Sequence, residues 1–283
     1  MSTLKIDTLS LIASLLLVAP ASAQERIPVP PDEQIARGVN LMLTPDPRPE
    51  QNESLVKKFR GLRVTDVMDA MQAVGLQDVG KMEDTIRPLW QDHKDFTHRV
   101  YGVAATARYV PTNKRMPSMP LDKFFDWHAD WYANIAPAAI SKLAKPGTIF
   151  VIDAQGVTNT GFVGSGNALG WKSKGMAGVV TNGPCRDTDE VVVERIPVYS
   201  RHIGGGTRPG RIEVESFNRP VVVGGALVIP GDFIIADGDG VQVVPRAVAE
   251  KVAEISWQIA KKDKQGRGKL YEKLGMKPDS TVK

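Results

Sequence analysis

Arg186 and Asp187 stand side by side after an apolar stretch, and their side chains have complementary uses. A guanidinium grips a carboxylate through two parallel N–H bonds. A carboxylate offers one hard oxygen to Mg²⁺ or Mn²⁺, whose other positions take waters and substrate oxygens. Upstream, Gly164, Ser165, Gly166 and Asn167 open a segment that reads as a helix. The first amides of a helix are unpaired and electropositive, so they can hold a carboxylate or enolate oxygen. Together these residues describe a site for a small anionic substrate. An Arg-Asp pair at a strand end also reads as a surface ion pair or helix cap, and spacing alone leaves both readings open.

Such a site needs elements that return the chain to one edge. Residues 161–187 (GFVGSGNALGWKSKGMAGVVTNGPCRD) run from a loop to a helix over 165–174, a buried strand over 178–182 and the turn bearing the pair. Before them, 148–153 (TIFVID) is a strand after Pro146-Gly147, and 99–110 has β alternation. Helices are expected over 66–74 with Thr65 as N-cap, over 121–143 with a break near Pro137, and over 187–194. A last helix over 246–262 places Val248, Val252, Ile255 and Ile259 on one face. From Pro197 onward β signals dominate. Strands alternating with helices and then following one another predict an α/β domain with mixed sheets. With no internal repeat and no linker after residue 50, one domain is expected.

The 283 residues are 42% hydrophobic and 24% charged, enough for one large core. The net charge of +4 is spread along the chain, with no block of like charges that would suggest nucleic acid as a partner. Lys5, the apolar run 9–19 and Ala21-Ser22-Ala23 read as a signal peptide over 1–23, which predicts a periplasmic or secreted protein. The run is short for a bilayer span, so no stable membrane insertion is expected. Residues 24–49 read as an extended, proline-rich leader, and 263–283 as a loosely held polar tail. The single cysteine, Cys185, cannot form an intrachain disulfide and reads as a small buried residue. Asp237-Gly238-Asp239-Gly240 reads as a tight turn between strands.

A set of motifs follows in order: Pro146-Gly147-Thr148, Gly178-Val179-Val180, Gly183, Arg186-Asp187, Ile196-Pro197-Val198 and Asn218-Arg219-Pro220-Val221. Pro230-Gly231-Asp232 and Asp237-Gly238-Asp239-Gly240-Val241 complete it, with 65–70 (TDVMDA) and 102–107 (GVAATA) upstream. Over roughly residues 55–265 the chain resembles the RraA-like / 4-hydroxy-4-methyl-2-oxoglutarate aldolase family. The resemblance implies a compact α/β/β/α sandwich with mixed sheets, as a domain over 50–265 followed by a tail over 266–283. It also implies a homotrimer or hexamer with sites at subunit interfaces. The activity implied is a divalent-metal-dependent lyase, aldolase- or decarboxylase-like, acting on a hydroxylated keto acid or sugar-derived acid through a metal-stabilised enolate. Within it, Arg186 would hold the substrate carboxylate and keto oxygen, Asp187 would bind Mg²⁺, and amides at Gly166 and Asn167 would hold the other end of the pyruvyl group. The family also includes a regulator that binds and inhibits an endoribonuclease, so a non-catalytic binding or regulatory role is the alternative; export would separate this chain from such a partner.

Two departures stand out. The family's aldolases carry an acidic residue separated from the Arg by twenty residues, and Ser165 holds that place. A hydroxyl supplies neither the charge nor the basicity of a carboxylate. Residues 121–132 are rich in aromatics, with His128 among Phe124, Trp127, Trp131 and Tyr132. They read first as a buried helix face, and alternatively as a lid giving stacking surface to a bulkier substrate.

Overall fold

The computed structural model describes residues 49–282, so the signal-peptide and leader expectations lie outside the described residues apart from Pro49. Two helices come first, α1 (Pro49–Phe59) and α2 (Val64–Ala73). The short β1 (Arg87–Pro88) and the long β2 (Val100–Pro111) follow. After α3 (Leu121–Asp130), a π turn (Trp131–Ile135) and a 3₁₀ turn (Ala139–Leu143) lead to β3 (Thr148–Asp153). Then come α4 (Ser165–Lys172), β4 (Gly178–Cys185), α5 (Thr188–Val193) and β5 (Val198–Ile203). The β-rich part holds β6 (Ile212–Phe217), β7 (Val221–Val223), β8 (Ala226–Val228), β9 (Phe233–Asp237) and β10 (Gly240–Val244). A final helix, α6, spans Ala249–Lys273.

The main sheet runs β1-β5-β4-β3-β2-β9-β10, with β6 paired to the far half of β2. Strands β2 to β5 are parallel neighbours, whereas β9, β10, β6 and β1 pair antiparallel. A bridge between Lys81 and Gln242 brings the chain before β1 to β10, so the sheet nearly closes on itself. Side chains alternate across each strand. Ile149 and Val151 point into an inner core with Val180, Tyr199 and Ile234, where the β7–β8 hairpin adds Val221, Val223 and Val228. Phe150 and Ile152 point outward, under α4, α5 and the segment after α3. On the opposite outside, Phe233 and Ile235 pack under α1, α2 and α6. The result is helix, sheet, sheet, helix, the layering expected. Burying one aromatic such as Phe150, edge-on to Trp171 at 5.0 Å, stabilises the chain by roughly 1.5–3 kcal/mol.

Local boundaries differ from expectation for identifiable reasons. Helix α2 begins at Val64, and Thr65 is not its cap. The Asp66 carboxylate accepts the Arg63 N–H at 3.0 Å, and Asp237 Oδ2 accepts the Val64 N–H at 2.9 Å. Strand β4 runs on to Cys185, buried throughout. The closing helix continues to Lys273, through half the segment expected to be a loose tail. The residues after it fold back, with Arg267 donating to Thr281 Oγ1 at 3.0 Å. The turn at 238–239 joins β9 to β10 as expected. Among the described residues no helix is long and apolar enough to cross a membrane.

Candidate functional site

Parallel strands β3, β4 and β5 end side by side, so their carboxyl ends share one edge. Strand β4 delivers Arg186 and Asp187 there, while the chain leaving β3 comes back over the same edge. Its backbone extends the sheet: Phe162 N–H donates to Pro184 O at 3.0 Å, Arg186 N–H to Val163 O at 2.8 Å, and Gly161 N–H to Gly206 O at 2.9 Å. Two glycines permit this approach. A Cβ at Gly161 would lie 2.6 Å from Arg186 Cγ and Cδ, and one at Gly164 would lie 2.8 Å from Asp187 Oδ2. The loop glycines therefore make room for the pair itself.

Asp187 takes a left-handed backbone (φ 54°, ψ 44°), which few residues other than Gly, Asn and Asp adopt readily. It occupies the N-cap position of α5, yet its side chain makes no cap bond to that helix. The carboxylate turns to α4 instead, where Oδ2 accepts Ser165 N–H at 3.2 Å and Ser165 Oγ at 3.5 Å. Oδ1 accepts Arg186 Nε at 3.1 Å. The negative charge thus sits against the positive end of α4. Both side chains are 35% exposed, so the edge is open to a ligand. The structure brings Gly164, Ser165, Arg186 and Asp187 together. Gly166 and Asn167 follow in the first turn of α4, and no hydrogen bond among the described residues joins the Asn167 side chain to the pair. Cys185 is buried, and burial, followed by the nearby Asp187 charge, pushes its thiol up to about 12. It stays protonated and is no nucleophile.

Arg208 was not singled out by sequence. It is 2% exposed, donates to Phe162 O at 3.0 Å and Ala136 O at 3.3 Å, and lies over the Tyr109 ring at 5.2 Å. It ties the returning loop to the segment after α3. Asp153, buried at the end of β3, accepts Asn182 Nδ2 at 3.1 Å and Gln155 N–H at 3.0 Å, which fixes where that loop departs.

The aromatic segment is not a buried helix face. Helix α3 has no buried residue, and Phe125 is 62% exposed. Burial is confined to Trp131 in the π turn, whose Nε1 donates to Ile212 O at 2.9 Å. His128 stands between Phe124 and Tyr132, at 5.4 and 5.1 Å, and partial burial holds it below the usual histidine range. Among the described residues it makes no hydrogen bond to Arg186 or Asp187.

Among the described residues no three His, Cys, Asp or Glu side chains gather as a metal cage. Mg²⁺ does not need one, because it keeps several waters and uses one or two carboxylates. Asp187 is a carboxylate at an open edge, so the donor set fits such a cation.

Residues 64–243 match the RraA-like family, described as Aldolase/RraA. A protein of Halalkalibacterium halodurans named "Putative 4-hydroxy-4-methyl-2-oxoglutarate aldolase" is 32% identical over 202 residues, covering 70% of this chain and 80% of that protein. A Burkholderia mallei protein of the same name is 34% identical over 106 residues, covering 37% of this chain and 62% of its own length. That second match spans less than two thirds of the relative. Among solved structures, Streptomyces coelicolor RraAS2, described as an unusual member of the RNase ES inhibitor RraA protein family, superposes with a TM-score of 0.62. It is 22% identical, covering 79% of this chain and 99% of that one, and the likeness is one of fold.

Proposed function

This chain belongs to the RraA-like family, and we propose that it is a divalent-metal-dependent lyase of the aldolase or decarboxylase type, acting on a hydroxylated keto acid or sugar-derived acid. The observation that carries this reading is the Asp187 carboxylate, which is held in a left-handed turn against the start of α4 beside Arg186 and does not cap its own helix. Asp187 would hold Mg²⁺ or Mn²⁺, which when bound would supply Lewis-acid polarisation of the substrate's keto oxygen. Arg186 already gives its Nε to Asp187, and its terminal nitrogens would be left to grip the substrate carboxylate as a planar fork. The start of α4 contributes the amides of Gly166 and Asn167 to the far end of the substrate. Gly161 and Gly164 keep the loop close enough for both side chains to act at one point.

The test is turnover of oxaloacetate and a panel of hydroxylated keto and sugar acids, with and without added Mg²⁺ or Mn²⁺. Ser165 sharpens it. Its Oγ lies 3.5 Å from Asp187 Oδ2, so Ser165→Asp would set two like charges side by side, a conflict that a divalent cation relieves. The variant is expected to need less metal for half-maximal rate and to form pyruvate faster than the wild type. A wild type at least as fast as the variant would show that Ser165 is no impairment. Metal-independent inactivity of both on every acid would favour the binding or regulatory alternative.

A homotrimer or hexamer is part of the same proposal. The elements that carry the site expose apolar side chains: Leu169 on α4, Val193 on α5 (82% exposed) and Ile203 at the end of β5 (70%). Exposed apolar side chains on the elements that carry an open site suit a neighbouring subunit that closes it. Sedimentation velocity at micromolar concentration is expected to show a trimer or its multiple; a monomer alone counts against the assembly.

A further inference from the structure

A cavity of about 350 Å³ opens at the other end of the sheet from Arg186 and Asp187. Its position follows from the strand order. Arg186 leaves the carboxyl end of β4, while Arg99 and Tyr101 stand at the start of β2, a strand running in the same direction. The cavity is closed by the α1–α2 connection and the second half of α6, with the residues after α6 folded across it. Arg60, Arg63, Arg99, Lys264, Arg267 and Thr281 line it. All but Arg99 lie outside the residues 64–243 that match the family.

Among the described residues, three of the cavity's arginines lack a direct ion pair. Arg63 is occupied, by Asp66 at 2.6 Å and Asp263 at 2.8 Å. Asp95 also lines the cavity, and Asp279 lies near Arg267 by way of Thr281. Arg60, Arg99 and Arg267 make no ion pair with a carboxylate among the described residues. Arg99 is the most telling. Its guanidinium is fixed over the Phe96 ring at 4.1 Å, with the Tyr101 hydroxyl and the Asp237 carboxylate within its electrostatic reach, and its Nε is buried with no hydrogen-bond partner. A buried guanidinium N–H normally finds an acceptor. Arginines lining one walled space, with Ser280 on its rim, offer the kind of donors that oxyanions take up.

We propose that this cavity binds a small oxyanion, a phosphate or carboxylate group carried by a small molecule, at a site separate from Arg186 and Asp187. The ligand's oxygens would accept from Arg99 and Arg267, with Arg60 closing the mouth. The test uses the full chain in the Arg186→Met background, so that anion binding at the other edge does not contribute. Inorganic phosphate, succinate and chloride are titrated calorimetrically at matched ionic strength, and melts are recorded beside them. Phosphate or succinate is expected to bind more tightly than chloride and to raise the melting temperature. The tighter of the two identifies the group as phosphate or carboxylate. Arg267→Gln, on a solvent-facing helix, is expected to weaken that binding at least tenfold, and Arg99→Met to do the same if it folds. In the otherwise wild-type chain, Arg267→Gln should leave metal-dependent turnover unchanged. No preference over chloride, or undiminished binding in Arg267→Gln, overturns the proposal.

Discussion

Asp187→Asn is expected to remove metal-dependent turnover while the protein stays folded. The loss should exceed the 10–100-fold, on the order of magnitude, that follows removal of a group behind a metal ligand, because here the ligand itself loses its charge. Asparagine is the informative substitution. It tolerates the left-handed backbone at φ 54°, whereas alanine there adds about 1–2 kcal/mol of strain unrelated to any ligand. The amide oxygen can still accept from Ser165 N–H, so the tie to α4 persists. The Arg186–Asp187 pair is about a third exposed, and after solvent screening it contributes about 1 kcal/mol or less. The melt should therefore fall by no more than a few degrees, on the order of 2–4 °C per kcal/mol for a chain of this size. Arg186→Lys should lower both affinity and turnover, because an ammonium cannot reproduce the fork. If the pair is only structural, the pattern inverts, with lowered melting and spared activity. The helix-cap form of that reading is already weakened, since Asp187 makes no side-chain cap to α5.

The sequence carried the outline of this edge because its determinants are local. Strand β3 is six consecutive buried residues, and β4 continues as a buried run up to Cys185, so both stand out as apolar stretches before a charged pair. Other features depend on partners far along the chain. Asp232 and Asp237 belong to motifs that resemble the family, yet their work here is to accept backbone amides. Asp232 takes Ile229 and Arg246, and Asp237 takes Val64 and Asp239. Nothing near residue 237 indicates that it caps a helix starting at 64. The length of α6 was missed for a different reason. Beyond residue 262 the apolar period stops and Gly266 and Gly268 disfavour a helix, yet the helix continues through them to Lys273. The exposure of α3 was missed because an aromatic-rich period looks the same whether it faces a core or the outside.

Arg208 is the strongest case of a residue invisible to pattern, and it yields the second large effect. It follows Gly204-Gly205-Gly206-Thr207 and precedes Pro209-Gly210, where any side chain would read as part of a surface loop. Yet its guanidinium is buried, and it donates to carbonyls on two segments, Phe162 and Ala136, with Tyr109 beneath it. Hydrogen bonds from a charged donor contribute about 1.5–3 kcal/mol each, partly offset by the cost of holding the charge out of water. Arg208→Met keeps bulk and apolar packing but leaves both carbonyls without that donor. The expected loss is roughly 2 kcal/mol, a fall of about 4–8 °C in melting temperature. Activity should fall further than stability explains. Phe162 immediately precedes Val163, whose carbonyl accepts the Arg186 N–H, so a loosened loop releases Arg186 and the glycines packed against it. Misplacing a substrate-gripping group by an ångström costs about a hundredfold in rate. Arg208→Lys should recover little, because one ammonium cannot span two carbonyls on separate segments as a guanidinium does. Turnover measured well below each variant's melting temperature separates the two effects. Full activity and an unchanged melt in Arg208→Met would mean that the loop holds its place through backbone pairing alone.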